Sequence, residues 1–277
     1  MSLSEIARSL ANLPLKALLA HPEILRRLVF EIKQNHYADL DIAIPLGFDL
    51  ACPVTKVDHW YSFAEIFLQR VYDSVFEQIP LPNRWVDLGC HAGYFSLFVA
   101  WLRVKQGLAS DFRSLLVDGD PRVESAVHRL TRLNNLEDNI FFRKGVIAQA
   151  KGEQNFALKN VMSSAVSDAE LPEANTIRIE TVTQDDLISL MPPPLDLIKV
   201  DIEGMEYQLL TNYPRFLTGS KHLLLEWHSW HKGGGGANQI LQLAQEQGFK
   251  LIKETESAHA VEMNGRSHQC GVFLFGK

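Results

Sequence analysis

Four ionisable residues crowd one short run, Lys199-Val200-Asp201-Ile202-Glu203-Gly204-Met205-Glu206. It follows the apolar pair Leu197-Ile198, so it falls at the end of a buried strand and the start of a helix. Ligands in open α/β sheets bind at such strand ends, and burying charge without a partner is costly. A plainer reading stays open for Glu203 and Glu206, which would complement the dipole of a first helical turn. A second apolar run ends in Leu225-Glu226-Trp227-His228-Ser229-Trp230-His231 and aims Glu226 and His228 at the same crevice. His228 could take the proton of a hydroxyl as general base. Alternatively, Asp201, Glu226 and His228 could hold a divalent ion such as Mg²⁺ that acidifies the hydroxyl. The residue types do not choose between these. Lys199, Glu203 and His231 would then line the bound acceptor. His231 leads into Gly233-Gly234-Gly235-Gly236, either a loop over the site or a plain connector.

A second kind of chemistry is written in Val86-Asp87-Leu88-Gly89-Cys90-His91-Ala92-Gly93-Tyr94-Phe95-Ser96. A strand runs through a Gly-x-x-x-Gly turn into a helix, leaving room for a ligand against bare backbone. The dinucleotide fingerprint Gly-x-Gly-x-x-Gly is absent, and Asp87 would repel a pyrophosphate. An acid there suits a ligand with a positive amino group, such as the methionine part of S-adenosylmethionine. Asp118 ends the next strand, near the spacing of an acid that grips ribose hydroxyls. Asp120 stands two residues on, before Pro121, and reads as a helix cap.

Together these residues resemble the FkbM family of S-adenosylmethionine-dependent methyltransferases. The resemblance covers roughly residues 60–277 and is strongest in the Lys-Val-Asp-Ile-Glu-Gly-x-Glu run followed by Glu-x-His. It implies a Rossmann-like fold with a doubly wound, seven-stranded, mostly parallel sheet and an antiparallel last strand. It also implies O-methylation of a hydroxyl on a sugar, glycan or natural product. Asp87, Gly89, His91, Gly93 and Tyr94 would form the cofactor loop. Asp118 would bind the ribose, and Gly145 and Val146 would lie by the adenine. Asp201, Glu226 and His228 would face the acceptor hydroxyl. Cys90-His91 stands where the family commonly has Ala-Asn, Gln184 where it has Leu, and Asp118-Gly119 where it has Glu-Pro.

The elements that must position these residues follow from periodicity. Short apolar runs at 85–87, 114–118, 140–143, 196–201, 222–226, 249–252 and 271–275 alternate with helical stretches, the pattern of a parallel sheet covered on both faces. Asn264-Gly265 suggests a turn before the last strand, and residues 152–182 a small extra hairpin. Residues 61–79 read as one amphipathic helix. Residues 40–57 read as a hairpin around Pro45-Leu46-Gly47. Residues 3–35 read as short helices broken at Pro14 and Pro22, suited to packing on the core or on a second subunit. The expected division is a helical and hairpin extension over 1–59 and a methyltransferase domain over 60–277.

The 277 residues carry a formal net charge of -6 and 46% hydrophobic residues. That balance opposes a nucleic-acid substrate, which usually meets a basic surface. Three scattered cysteines, Cys52, Cys90 and Cys270, argue against a disulfide framework or a zinc cluster. They fit a cytoplasmic location. No apolar stretch approaches the roughly 18 residues of a membrane span. A nicotinamide dehydrogenase is opposed by the missing fingerprint. A non-catalytic module retaining the same fold is the runner-up.

Overall fold

A computed structural model describes residues 41–158, 165–166, 176–230, 236–263 and 266–277. The expected helices over 3–35, His231 and the Asn264-Gly265 turn lie outside these residues.

The chain opens with a hairpin of β1 (Ile42–Gly47) and β2 (Leu50–Val54). Its turn is Phe48-Asp49, not the expected Pro45-Leu46-Gly47. Gly47 pairs with Leu50, and Phe48 and Asp49 have φ of 55° and 60°. A two-residue hairpin turn needs a positive φ at both central positions to match strand twist. Pro45 instead stays in β1, opposite Ala51. The expected helix over 61–79 is also corrected. Helix α1 (Val57–Phe63) starts earlier and widens into a π-helical stretch, Ala64–Gln69. It stops at Arg70, whose φ is 61°, and a short α2 (Asp73–Phe76) follows.

The core alternates strand and helix: β3 (Arg84–Leu88), α3 (Tyr94–Lys105), β4 (Arg113–Asp118), α4 (Pro121–Asn134) and β5 (Ile140–Lys144). After it come β6 (Val146–Ile147), β7 (Glu153–Ala157), β8 (Ala165–Val166), β9 (Thr176–Val182) and α5 (Gln184–Leu190). The second half runs β10 (Leu195–Val200), α6 (Glu206–Asn212), α7 (Pro214–Thr218), β11 (Ser220–His228), α8 (Ala237–Glu246), β12 (Lys250–Met263) and β13 (Arg266–Gly276). Local chemistry sets the helix starts. Asp120 accepts from the N–H of Arg122 at 2.8 Å with Pro121 at the first helical position. Thr183 and Asp186 form a reciprocal capping box.

Seven strands form one sheet in the order β12-β13-β11-β10-β3-β4-β5. The five from β11 to β5 pair in parallel, and β13 is antiparallel to both β11 and β12. The last strand is antiparallel, as expected. A small sheet, β6-β9-β7-β8, replaces the simple extra hairpin. Both faces of the large sheet are covered. Trp85, Leu116, Leu197 and Leu224 pack with α1, α3 and α4 residues. Their neighbours Val86, Leu115, Ile198 and Leu225 pack on the opposite face with residues such as Leu209, Phe216 and Ile240. The hairpin shares the first of these cores through Leu50, Cys52 and Val54. Asn134 also pins it, bonding both the N–H and the C=O of Ala51, at 2.7 and 2.9 Å. A boundary at 59/60 therefore falls inside α1. No helix among the described residues is long and apolar enough to cross a membrane.

Strand order reverses between β3 and β10: β4 and β5 lie on one side and β11 on the other. A sheet wound this way leaves a crevice outside the carboxyl ends of these strands.

Candidate active site

The crevice is real and is lined at one end by glycine-rich backbone and at the other by carboxylates. Gly89, His91, Tyr94, Asp118, Gly145 and Val146 line the first end. Lys199, Asp201, Glu203, Glu226 and Glu65 line the second.

At the first end, Asp118 ties two turns together. Its Oδ2 accepts from the backbone N–H of His91 at 2.9 Å, and its Oδ1 from that of Asp120 at 2.8 Å. Burial pushes this carboxyl up to about 6, against the pull of those two N–H groups. Gly89 and Gly93 serve different needs. A Cβ on Gly89 would overlap the carbonyl oxygen of Asp201, so glycine lets the two strand ends touch. A Cβ on Gly93 would press on Leu116, Leu130 and Val127 in the core. Gly93 therefore serves helix packing and is not a cleft residue. Tyr94 lines the cleft with its ring, while its hydroxyl donates to the carbonyl of Pro53.

Asp87 is corrected as well. It is fully buried and absent from the cleft wall; it acts from behind, through Lys199. Period-two alternation puts Asp87, Lys199, Asp201, Glu226 and His228 on the sheet face that α1 covers. The Lys199 ammonium donates to the carbonyl of Gly89 at 3.0 Å. It pairs with Asp87 Oδ1 at 3.4 Å and Asp201 Oδ2 at 3.5 Å. An ammonium has three N–H donors; Gly89 and Asp201 accept from it, while Asp87 Oδ1 stands beside it as an ion pair without a hydrogen bond. Burial disfavours the charged lysine, but Asp87 and Asp201 outweigh it and hold Lys199 protonated. Lys199 thus braces Asp87, Asp201 and the Gly89 turn while it lines the cleft.

His228 is buried, with Nδ1 3.1 Å from Glu206 Oε1 and Nε2 3.5 Å from Glu226 Oε1. Burial lowers its pKa, but the two carboxylates overcome this and push it up to about 12. An imidazolium clasped on both sides has no lone pair for a proton. That charge state opposes the general-base role that its place in Glu-x-His suggested. The grouping of metal-capable atoms shifts too. Asp201, Glu203 and His228 offer ligand atoms within 4.8 Å of one another, and Glu226 is outside that set. Glu206 also accepts from the N–H groups of Ile202 and Gly204, at 3.2 and 3.0 Å. It shapes the loop that carries Glu203, whose φ is 55°.

Two carboxylates stand near neutrality. Burial and the nearby Asp201 push Glu203 up to about 8. The walls of the cleft, with Glu226 and Asp201, push Glu65 up to about 7. Sequence reasoning missed Glu65. It lies off the face that carries Phe63, Ile66 and Phe67, and no motif marks it.

The model of the methyltransferase FkbM domain matches residues 112–251, which is half of the chain. This chain belongs to the FkbM methyltransferase family. The FkbM match spans β4 to the start of β12 and includes Asp118, the Lys199–Glu206 run, Glu226 and His228. No curated protein matches the chain. Among solved structures, an O-methyltransferase from Bacillus cereus in complex with SAH is 12% identical, with a TM-score of 0.41, over 76% of this chain and 81% of that one. The precorrin-6y C5,15-methyltransferase from Geobacter metallireducens GS-15 is 12% identical, with a TM-score of 0.44, over 76% of this chain and 89% of that one. Precorrin 8w decarboxylase from Methanobacterium thermoautotrophicum is 14% identical, with a TM-score of 0.43, over 75% and 89%.

The first end of the cleft fits S-adenosylmethionine by its donor set. Val146, Ile147 and Phe156 give that end apolar walls. The Asp118 carboxylate adjoins them, with lone pairs left for vicinal hydroxyls. The N-terminal turn of α3 presents backbone N–H groups to a carboxylate.

Proposed function

We propose that this FkbM protein is an S-adenosylmethionine-dependent O-methyltransferase acting on a hydroxyl of a sugar, glycan or natural-product small molecule. One observation carries the reading: the glycine-lined end opens directly onto the carboxylates of Glu65, Asp201, Glu203 and Glu226 in a single cleft. When bound, the cofactor supplies an electrophilic methyl group on a sulfonium, so the protein's tasks are positioning and deprotonation. Asp118 holds the ribose, and the wall at Gly145 and Val146 takes the adenine. Asp201 and Glu226 accept hydrogen bonds from a hydroxylated acceptor and orient it. Glu65, near neutrality and open to the cleft, takes the hydroxyl proton. A carboxylate-lined acceptor end would repel phosphates, which supports a small hydroxylated acceptor over a nucleic acid.

The test is calorimetric titration with S-adenosylhomocysteine, with and without Mg²⁺, and with NAD as control, followed by a panel of hydroxylated acceptors. Micromolar binding of S-adenosylhomocysteine but not NAD, and methyl transfer to a hydroxyl, is the expected result. Cofactor binding that needs no Mg²⁺ and yields no transfer across the panel would favour a non-catalytic module on this fold.

A further inference from the structure

A second cluster of possible metal ligands lines the same cleft. Asp58 and His59 come from α1, and His91 from the glycine turn; each offers one ligand atom, all within 4.8 Å of one another. We infer that Asp58, His59 and His91 form a binding site for a divalent transition-metal ion of the zinc type. The inference rests on no assumption about methyl transfer.

Geometry supports it first. Four-coordinate zinc holds nitrogen and oxygen ligands at about 2.0–2.1 Å, which spaces neighbouring ligand atoms about 3.4 Å apart. His91 Nε2 already stands 3.6 Å from Asp58 Oδ2. Two imidazoles on one tetrahedral ion place their ring centroids roughly 5 Å apart. The centroids of His59 and His91 are 5.4 Å apart.

The outer contacts support it second. Metal-bound histidines are usually oriented by a hydrogen bond at the other ring nitrogen. Here His59 Nδ1 lies 3.0 Å from Thr55 Oγ1, and His91 Nδ1 lies 3.2 Å from Ser62 Oγ. The backbone of His91 is fixed as well, by its N–H to Asp118. Two imidazoles and one carboxylate favour late first-row ions over Mg²⁺, which prefers an all-oxygen shell. All three residues line the cleft, so water or a bound ligand would complete the shell.

The experiment uses the full chain, stripped with EDTA and desalted, titrated with CoCl₂ and read by visible absorption. One equivalent should bind with the intense absorption of a four-coordinate ion, and ZnCl₂ should displace it. His91→Asn and Asp58→Asn should each weaken binding at least about tenfold, with circular dichroism unchanged. Asparagine tolerates the positive φ at position 91, so that variant should fold. Glu203→Gln should bind Co²⁺ as the parent does. Binding only above about 1 mM Co²⁺ would overturn the inference. So would parental affinity in both His91→Asn and Asp58→Asn, or loss of binding in Glu203→Gln.

Discussion

The two ends of the cleft are built on different principles. The cofactor end is made of backbone: a glycine turn, two N–H groups gathered by Asp118, and a helix start capped by Asp120. The acceptor end is made of side chains that brace one another, as Asp87–Lys199–Asp201 and Glu206–His228–Glu226. A backbone site is held by conformation, so single substitutions should alter binding. A braced site is held by charge, so removing one member leaves its partners unpaired in a poor dielectric.

The largest expected effect tests that contrast directly. Lys199→Met leaves Asp87, which is fully buried, without its counter-charge. Urea unfolding should show a loss of about 3–5 kcal/mol; a loss below about 1 kcal/mol would mean that the brace is idle. Next, Glu65→Gln should lower kcat about 100-fold with the fold intact. The parent's activity should rise with pH through about 7, where Glu65 ionises, and the variant should lose that limb. A variant that keeps the limb would move the base to another group.

At the cofactor end, Asp118→Asn should weaken S-adenosylhomocysteine binding about tenfold, because a neutral amide is a poorer acceptor than a carboxylate. For the parent, affinity should fall as pH drops below about 6, where Asp118 takes up a proton. Binding that is flat from pH 8 to 5 would break the link. The smallest effect is expected for Asp120→Ala. It should cost about 1 kcal/mol as a lost helix cap and leave cofactor affinity unchanged in the same titration.

The same contrast explains what the sequence disclosed. The strands, the mostly parallel sheet and the glycine turn were legible, because apolar periodicity and glycine spacing act within a few residues. Asp120 was legible as a cap for the same reason. The acceptor end was legible only as a list of residues. Lys199 reads only as a cleft residue, and its pairing with Asp87, 3.4 Å away, shows only in the fold. That Glu206, on α6 ahead of its strand, flanks His228 at Nδ1 is visible only in the fold. Such roles depend on partners far apart in the chain. Glu65 was hidden because α1 and its π-helical continuation carry it to the cleft from outside the family's motifs. The hairpin turn was missed because Phe48 is a rare choice for a positive φ.

Gly89 has a last consequence. Its missing side chain lets its backbone rest against the carbonyl of Asp201, and Leu88 accepts from the N–H of Asp201 at 2.9 Å. The two ends of the cleft are therefore joined by main chain, as the jaws of a caliper are joined at the pivot. Side chains at either jaw can be exchanged while the gap between donor and acceptor stays set. Redesign of the acceptor end should therefore change which molecule is gripped before it changes how far a methyl group must travel.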